Sequence, residues 1–183
     1  MIKIVKYSFC TFILLVSSVF YGQKYSTRSG VVKFEASVPS FEEVKAESKT
    51  ASAALEASSG DLAVLALVKG FRFKVALMEE HFNESYVESD KYPKASFKGK
   101  IEGFDAAKLT AEGKTFTLSG DLTLHGKTKK ITDTAKISKQ GDKIVIVGEF
   151  EANASDFDIK IPAVVSKKVS EKVKVGYNLS LTK

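Results

Sequence analysis

His81 and His125 are the two histidines of the chain, and imidazole is the side chain best placed to move protons or bind metal near neutral pH. His81 stands in the run Glu79-Glu80-His81-Phe82-Asn83-Glu84. With Glu80 beside it, His81 could form an acid–base pair, the arrangement general acid–base catalysis would need. A metal centre asks for three or more converging ligands, and no second histidine stands at a useful spacing from His81. Glu80 and Glu84, four apart, also fit an ordinary solvated helix face. His125 lies in Leu124-His125-Gly126-Lys127, where a polar ring at a turn is commonplace. The chain has one cysteine, Cys10, and no tryptophan, so no thiolate metal site or disulfide framework can be built. No catalytic residue and no metal ligand is assigned.

The elements that position these residues begin after an address segment. Lys3 and Lys6 open the chain, Phe9 to Phe20 form an apolar run, and smaller residues lead to Gly22. The run is short for a membrane span and has the three-part form of a secretory signal, so residues 1–22 are expected to be cleaved and the protein to be periplasmic or secreted. Losing Lys3 and Lys6 takes the net charge from +6 to +4, and losing Cys10 leaves no thiol. Residues 23–183 suffice for one domain with a substantial core. The charge is modest and no aromatic-basic motif accompanies it, which argues against nucleic acid as a partner. Lys127, Lys129 and Lys130, with Lys167 and Lys168, suit either transient contact with an anionic membrane surface or the guarding of strand edges.

Period-two alternation dominates from residue 31 onward. Val32, Phe34, Ala36 and Val38 alternate with polar residues, as do Phe116, Leu118, Gly120, Leu122 and Leu124, and the run from Val169 to Leu181 with Glu171 as its misfit. Such patterns put one face in the core and one in water. Turn residues such as Ser58-Ser59-Gly60-Asp61, His125-Gly126 and Gln140-Gly141-Asp142 separate the runs. Eight strands are expected: 31–38, 43–57, 62–73, 94–105, 114–124, 128–139, 143–154 and 168–182. Strands this long, mostly joined by tight turns, favour an all-β antiparallel barrel, which removes exposed edges, over a sandwich.

Between them, Val75, Leu77, Met78, Phe82 and Tyr86 follow a helical spacing, so 74–86 is expected to form a short helix across one end of the barrel. The segment 156–167, with Pro162, forms a second long connection. Many inward positions carry small residues, among them Ala51, Ala53, Ala66, Ala95, Gly99, Gly120, Gly148, Ala152 and Ala154. They leave either room for an apolar guest or simply freedom for strand coiling. For a guest, Met78 and Phe82 are the candidate contacts at the cavity end, His81 a candidate at its mouth, and Phe71, Phe73, Phe97 and Phe116 candidates for its wall.

The segment FRFKVALMEEHFNESYVESDKYPKASF (71–97) and the hairpin GDLTLHGKTKKI (120–131) resemble those of the YceI-like family of polyisoprenoid-binding proteins. Members carry an acidic residue shortly before a helical His, an aromatic-rich stretch leading to Pro and Phe, and a Gly-x-Leu-Thr-x-x-Gly-x-Thr hairpin, here Gly120, Leu122, Thr123, Gly126 and Thr128. Glu79-Glu80 stand where the commonest form has an Arg-Asp pair. The resemblance implies a lipocalin-like eight-stranded barrel with a long apolar tunnel, an exported protein and an isoprenoid lipid or quinone as ligand; no enzymatic activity is firmly attached to the family, and none is expected here. The alternatives are an enzyme acting on a bound lipid through His81 and Glu80, and a ligand-free structural barrel.

Overall fold

The computed structural model describes residues 23–183; the expected leader, with Cys10, lies outside the described residues. Nine strands are found among them: β1 (Lys24–Ser37), β2 (Lys45–Glu56), β3 (Asp61–Leu67), β4 (Arg72–Phe73), β5 (Lys94–Ile101), β6 (Lys114–Leu124), β7 (Lys127–Gln140), β8 (Lys143–Asn153) and β9 (Val169–Leu181). All pairings are antiparallel, in the order β1-β9-β8-β7-β6-β5-β3-β2, and β1 pairs with β2 to close the ring. This is the expected eight-stranded barrel, with β4 as a short extra strand on β2.

The strands differ from the expectation in two instructive places. β1 begins at Lys24 rather than 31, because its inward parity changes partway: Tyr25 faces in on odd numbering, Gly30 on even. The register slips at that point against β2, between Thr27 and Val32, and bulges of this kind bend a strand while breaking its alternation. The expected strand 62–73 ends at Leu67, where a turn over Val68–Gly70 redirects the chain into β4. Glu171, the misfit of β9, falls where the β1–β9 register jumps, and its carboxylate accepts the Ser155 N–H at 2.8 Å.

Antiparallel order sorts the connections to two ends. Segments 38–44, 68–93 and 154–168 and the 125–126 turn lie at one end, and 57–60, 102–113 and 141–142 at the other. The second end is packed solid. Leu55, Ile101, Ile137, Ile144, Ile146 and Leu181 are fully buried there, joined by Tyr25, Leu62 and Leu109. At the first end a short helix α1 (Ala76–His81) runs into a π-helical turn over Phe82–Tyr86, in which the Val87 N–H donates to the Phe82 carbonyl at 3.0 Å. Glu79 fastens α1 to β4, accepting from the Arg72 guanidinium at 2.6 Å and from the Phe73 N–H at 3.1 Å.

Candidate functional site

The inward side chains of each strand change character along the barrel. On β9, Leu181 and Leu179 are buried, whereas Tyr177, Val175 and Val173 are only half-buried. On β8, Ile144 and Ile146 give way to half-buried Phe150 and Ala152, and on β7, Ile137 and Ala135 give way to Asp133 and Ile131. Residues that face inward and yet remain accessible must border a space that side chains do not fill. That space is a cavity of about 420 Å3, within the ordinary range for small-molecule sites. Along β6 its wall runs from Leu118 to Leu124, ~20 Å at ~3.3 Å per residue.

Four phenylalanines form one side of the wall. Phe34 of β1 lies 5.4 Å from Phe71, 5.7 Å from Phe73 and 5.2 Å from Phe82, centroid to centroid, and Phe73 and Phe82 are 5.2 Å apart. A further part of the wall is supplied by the 154–168 connection, from which Phe157, Ile159, Ile161 and Val165 line the cavity. Phe157 and Ile159 pack with Val87, Tyr86 and Phe82, so the helical segment and this connection together roof the end. Phe41, Glu42 and Lys168 stand at the mouth.

Six of the seven ligand contacts expected from the sequence, Phe71, Phe73, Met78, His81, Phe82 and Phe97, line this cavity. Phe116 does not: it faces the packed end, 6.2 Å from Phe104. The small residues divide likewise. Ala66, Ala95, Ala152 and Ala154 border the cavity, whereas Gly99 and Gly120 meet face to face beneath the Phe97 ring, leaving no space for a Cβ at either. Sequence reasoning passed over the 154–168 wall, because a non-strand segment gives no periodic signal. It also passed over Asp133 and Tyr177, which meet inside the barrel at 2.6 Å.

Glu80 and His81 are not brought together for chemistry. His81 borders the cavity, but Glu80 faces a separate outer groove with Lys69 and Arg72, as expected for neighbours on a helix. Among the described residues no three His, Cys, Asp or Glu side chains cluster as metal ligands. His125 is structural. Its turn has positive φ at both His125 and Gly126, and the ring bridges the Phe157 carbonyl (Nδ1, 2.9 Å) and the Glu88 carboxylate (Nε2, 3.0 Å). Gly126 is required there, since a Cβ would fall within 2.6 Å of the Tyr92 ring. Lys127 and Lys129 are paired with Asp158 at 2.8 Å and Asp156 at 3.7 Å, which commits part of the basic cluster to the roof connection.

A family model for the YceI-like domain matches residues 17–181. The chain belongs to the YceI-like family. As a YceI-like protein it shares its fold with a polyisoprenoid-binding domain from Saccharophagus degradans implicated in plant cell wall breakdown (TM-score 0.73, 14% identity, covering 87% of this chain and 97% of that one). Burkholderia cenocepacia BcnA is similar over 84% of this chain and 96% of its own (TM-score 0.69, 17% identity). The Campylobacter jejuni YCEI protein is similar over 80% and 88% (TM-score 0.63, 20% identity). At such identities the likeness is one of fold. No curated protein matches the YceI-like chain.

Proposed function

We propose that this protein is an exported carrier that binds a long apolar molecule, a polyisoprenoid lipid or quinone, in the hollow half of its barrel, and that it binds rather than catalyses. The observation that carries this reading is the 420 Å3 cavity, walled almost wholly by apolar side chains in a barrel whose other half is packed solid. Packed interiors tolerate few voids, and each methylene taken from water contributes ~0.8 kcal/mol before ordering costs. A hydrocarbon chain can therefore bind there through burial alone.

Likeness in fold to a domain described as polyisoprenoid-binding supports the choice of an isoprenoid, and the signal-like pattern of residues 1–22 supports export. Phe71, Phe73, Met78, Phe82 and Phe97 contact the chain, and His81 meets whatever emerges at the mouth. Phe116 acts from behind, stiffening the packed floor. Phe41 and Val164, exposed at 45% and 85%, give the mouth an apolar rim for brief contact with a membrane surface during loading.

The test blocks the cavity. Ala95→Phe with Ala152→Phe places two rings in the hollow half without touching the packed half. The variant should keep its β-sheet circular dichroism and lose uptake of a radiolabelled prenyl chain. Undiminished uptake by a folded variant would show that the chain binds elsewhere.

A further inference from the structure

At the floor of the cavity the apolar lining is broken by one polar pair. Asp133 stands one inward position from the fully buried Ala135 on β7, and Tyr177 one inward position from Leu179 on β9. The Tyr177 hydroxyl donates to Asp133 Oδ2 at 2.6 Å, and the Thr134 N–H donates to Oδ1 at 2.6 Å. The two residues are on strands separated by β8, ~9.5 Å apart across two strand spacings. The phenol spans that gap because β8 carries Gly148 at the crossing point. A Cβ there would fall 2.1 Å from the Tyr177 oxygen and 2.4 Å from Cζ. Three strands are thus matched to bring a carboxyl group and a phenol together inside the barrel.

The pair is rich in acceptors. With both Asp133 oxygens accepting, the spare capacity is lone pairs on the carboxyl group and on the Tyr177 oxygen, and no ion pair with Asp133 occurs among the described residues. Burial and the neighbouring Asp133 push the Tyr177 phenol far above its ordinary range, so its one proton stays committed to Asp133. An incoming ether or hydrocarbon finds nothing to donate to it, and an anionic headgroup is repelled. A hydroxyl or phenol finds acceptors with unused lone pairs inside an otherwise apolar wall.

We infer that Asp133 and Tyr177 form a selectivity site at the cavity floor, which favours an apolar ligand whose buried end carries a hydrogen-bond donor, a long-chain alcohol or phenol. This rests on the carrier reading above, and deepens it by naming the ligand's polar group and the end that enters first.

The experiment measures binding of farnesol and farnesyl methyl ether, equal in hydrocarbon and differing in the donor, to the full chain. The native protein should bind farnesol about tenfold more tightly. The double variant Asp133→Leu/Tyr177→Phe removes both partners, so no buried polar atom of the pair is orphaned, and it should bind the two ligands alike while retaining the ether. Equal affinity in the native protein, or a preference that survives in the double variant, overturns the floor site and leaves the carrier intact. Binding of neither ligand by the native protein overturns both.

Discussion

The ring of Phe34 on β1 stacks on that of Phe82, centroids 5.2 Å apart and planes 30° apart, and this contact ties the helical roof to the barrel wall. α1 has no side-chain cap and buries none of its own residues, so its position depends on that contact, on Phe71 and Phe73, and on the Glu79 link to β4. Phe82→Ala is expected to cost ~2 kcal/mol, less than a fully buried Phe because the ring is half-buried, as measured by urea unfolding. It should also speed release of a bound hydrocarbon, since the roof loses its main anchor.

Gly148→Ala is expected to be destabilising by ~1–3 kcal/mol, although the residue adopts ordinary strand geometry. The reason is the Tyr177 ring lying over it. Tyr177→Ala in the same chain should relieve the clash, so the double variant should be more stable than the two single effects summed, a coupling that a double-mutant cycle reads directly.

The raised Tyr177 phenol sets a pH dependence. In the unfolded chain the phenol ionises near pH ~10, whereas in the folded protein it stays protonated well beyond that. Above pH ~10 the unfolded state therefore binds fewer protons, and stability must fall as pH rises. Tyr177→Phe removes this contribution. Its stability, followed by chemical denaturation from pH 8 to 11, should decline less steeply than that of the native protein.

The sequence made the barrel readable because alternation survives wherever strands are straight: 114–124 coincides with β6 to the residue. It failed where bulges reverse parity, at Thr27–Gly30 of β1, and where β3 turns off at Val68. The aromatic side of the cavity was legible for a related reason, since Phe71, Phe73 and Phe82 sit in short periodic runs. The roof connection was not, because Phe157, Ile159 and Ile161 are set inward by a cluster that includes Val87 and Tyr86 from far along the chain. Asp133 was passed over although it shares the parity of Ile131, Ala135 and Ile137, because an acid on an apolar face announces no partner. That partner, Tyr177, emerges only from the three-strand register, which sets Gly148 between Ala135 and Tyr177.

His125→Ala should loosen the same roof. It removes the bridge between the Glu88 carboxylate and the Phe157 carbonyl, leaving that carbonyl without its side-chain partner. A loss of ~1–2 kcal/mol is expected, with faster amide hydrogen exchange at residues 154–159 than in β7 and β8.

Whether the hollow half of the barrel holds a guest is answered by extracting purified protein with organic solvent and identifying the extract by mass spectrometry. A stoichiometric hydrocarbon-rich lipid that disappears from the Ala95→Phe/Ala152→Phe variant is the predicted result. Repeated preparations that yield no lipid, from protein that also takes up no added prenyl chain, would rule out a carrier.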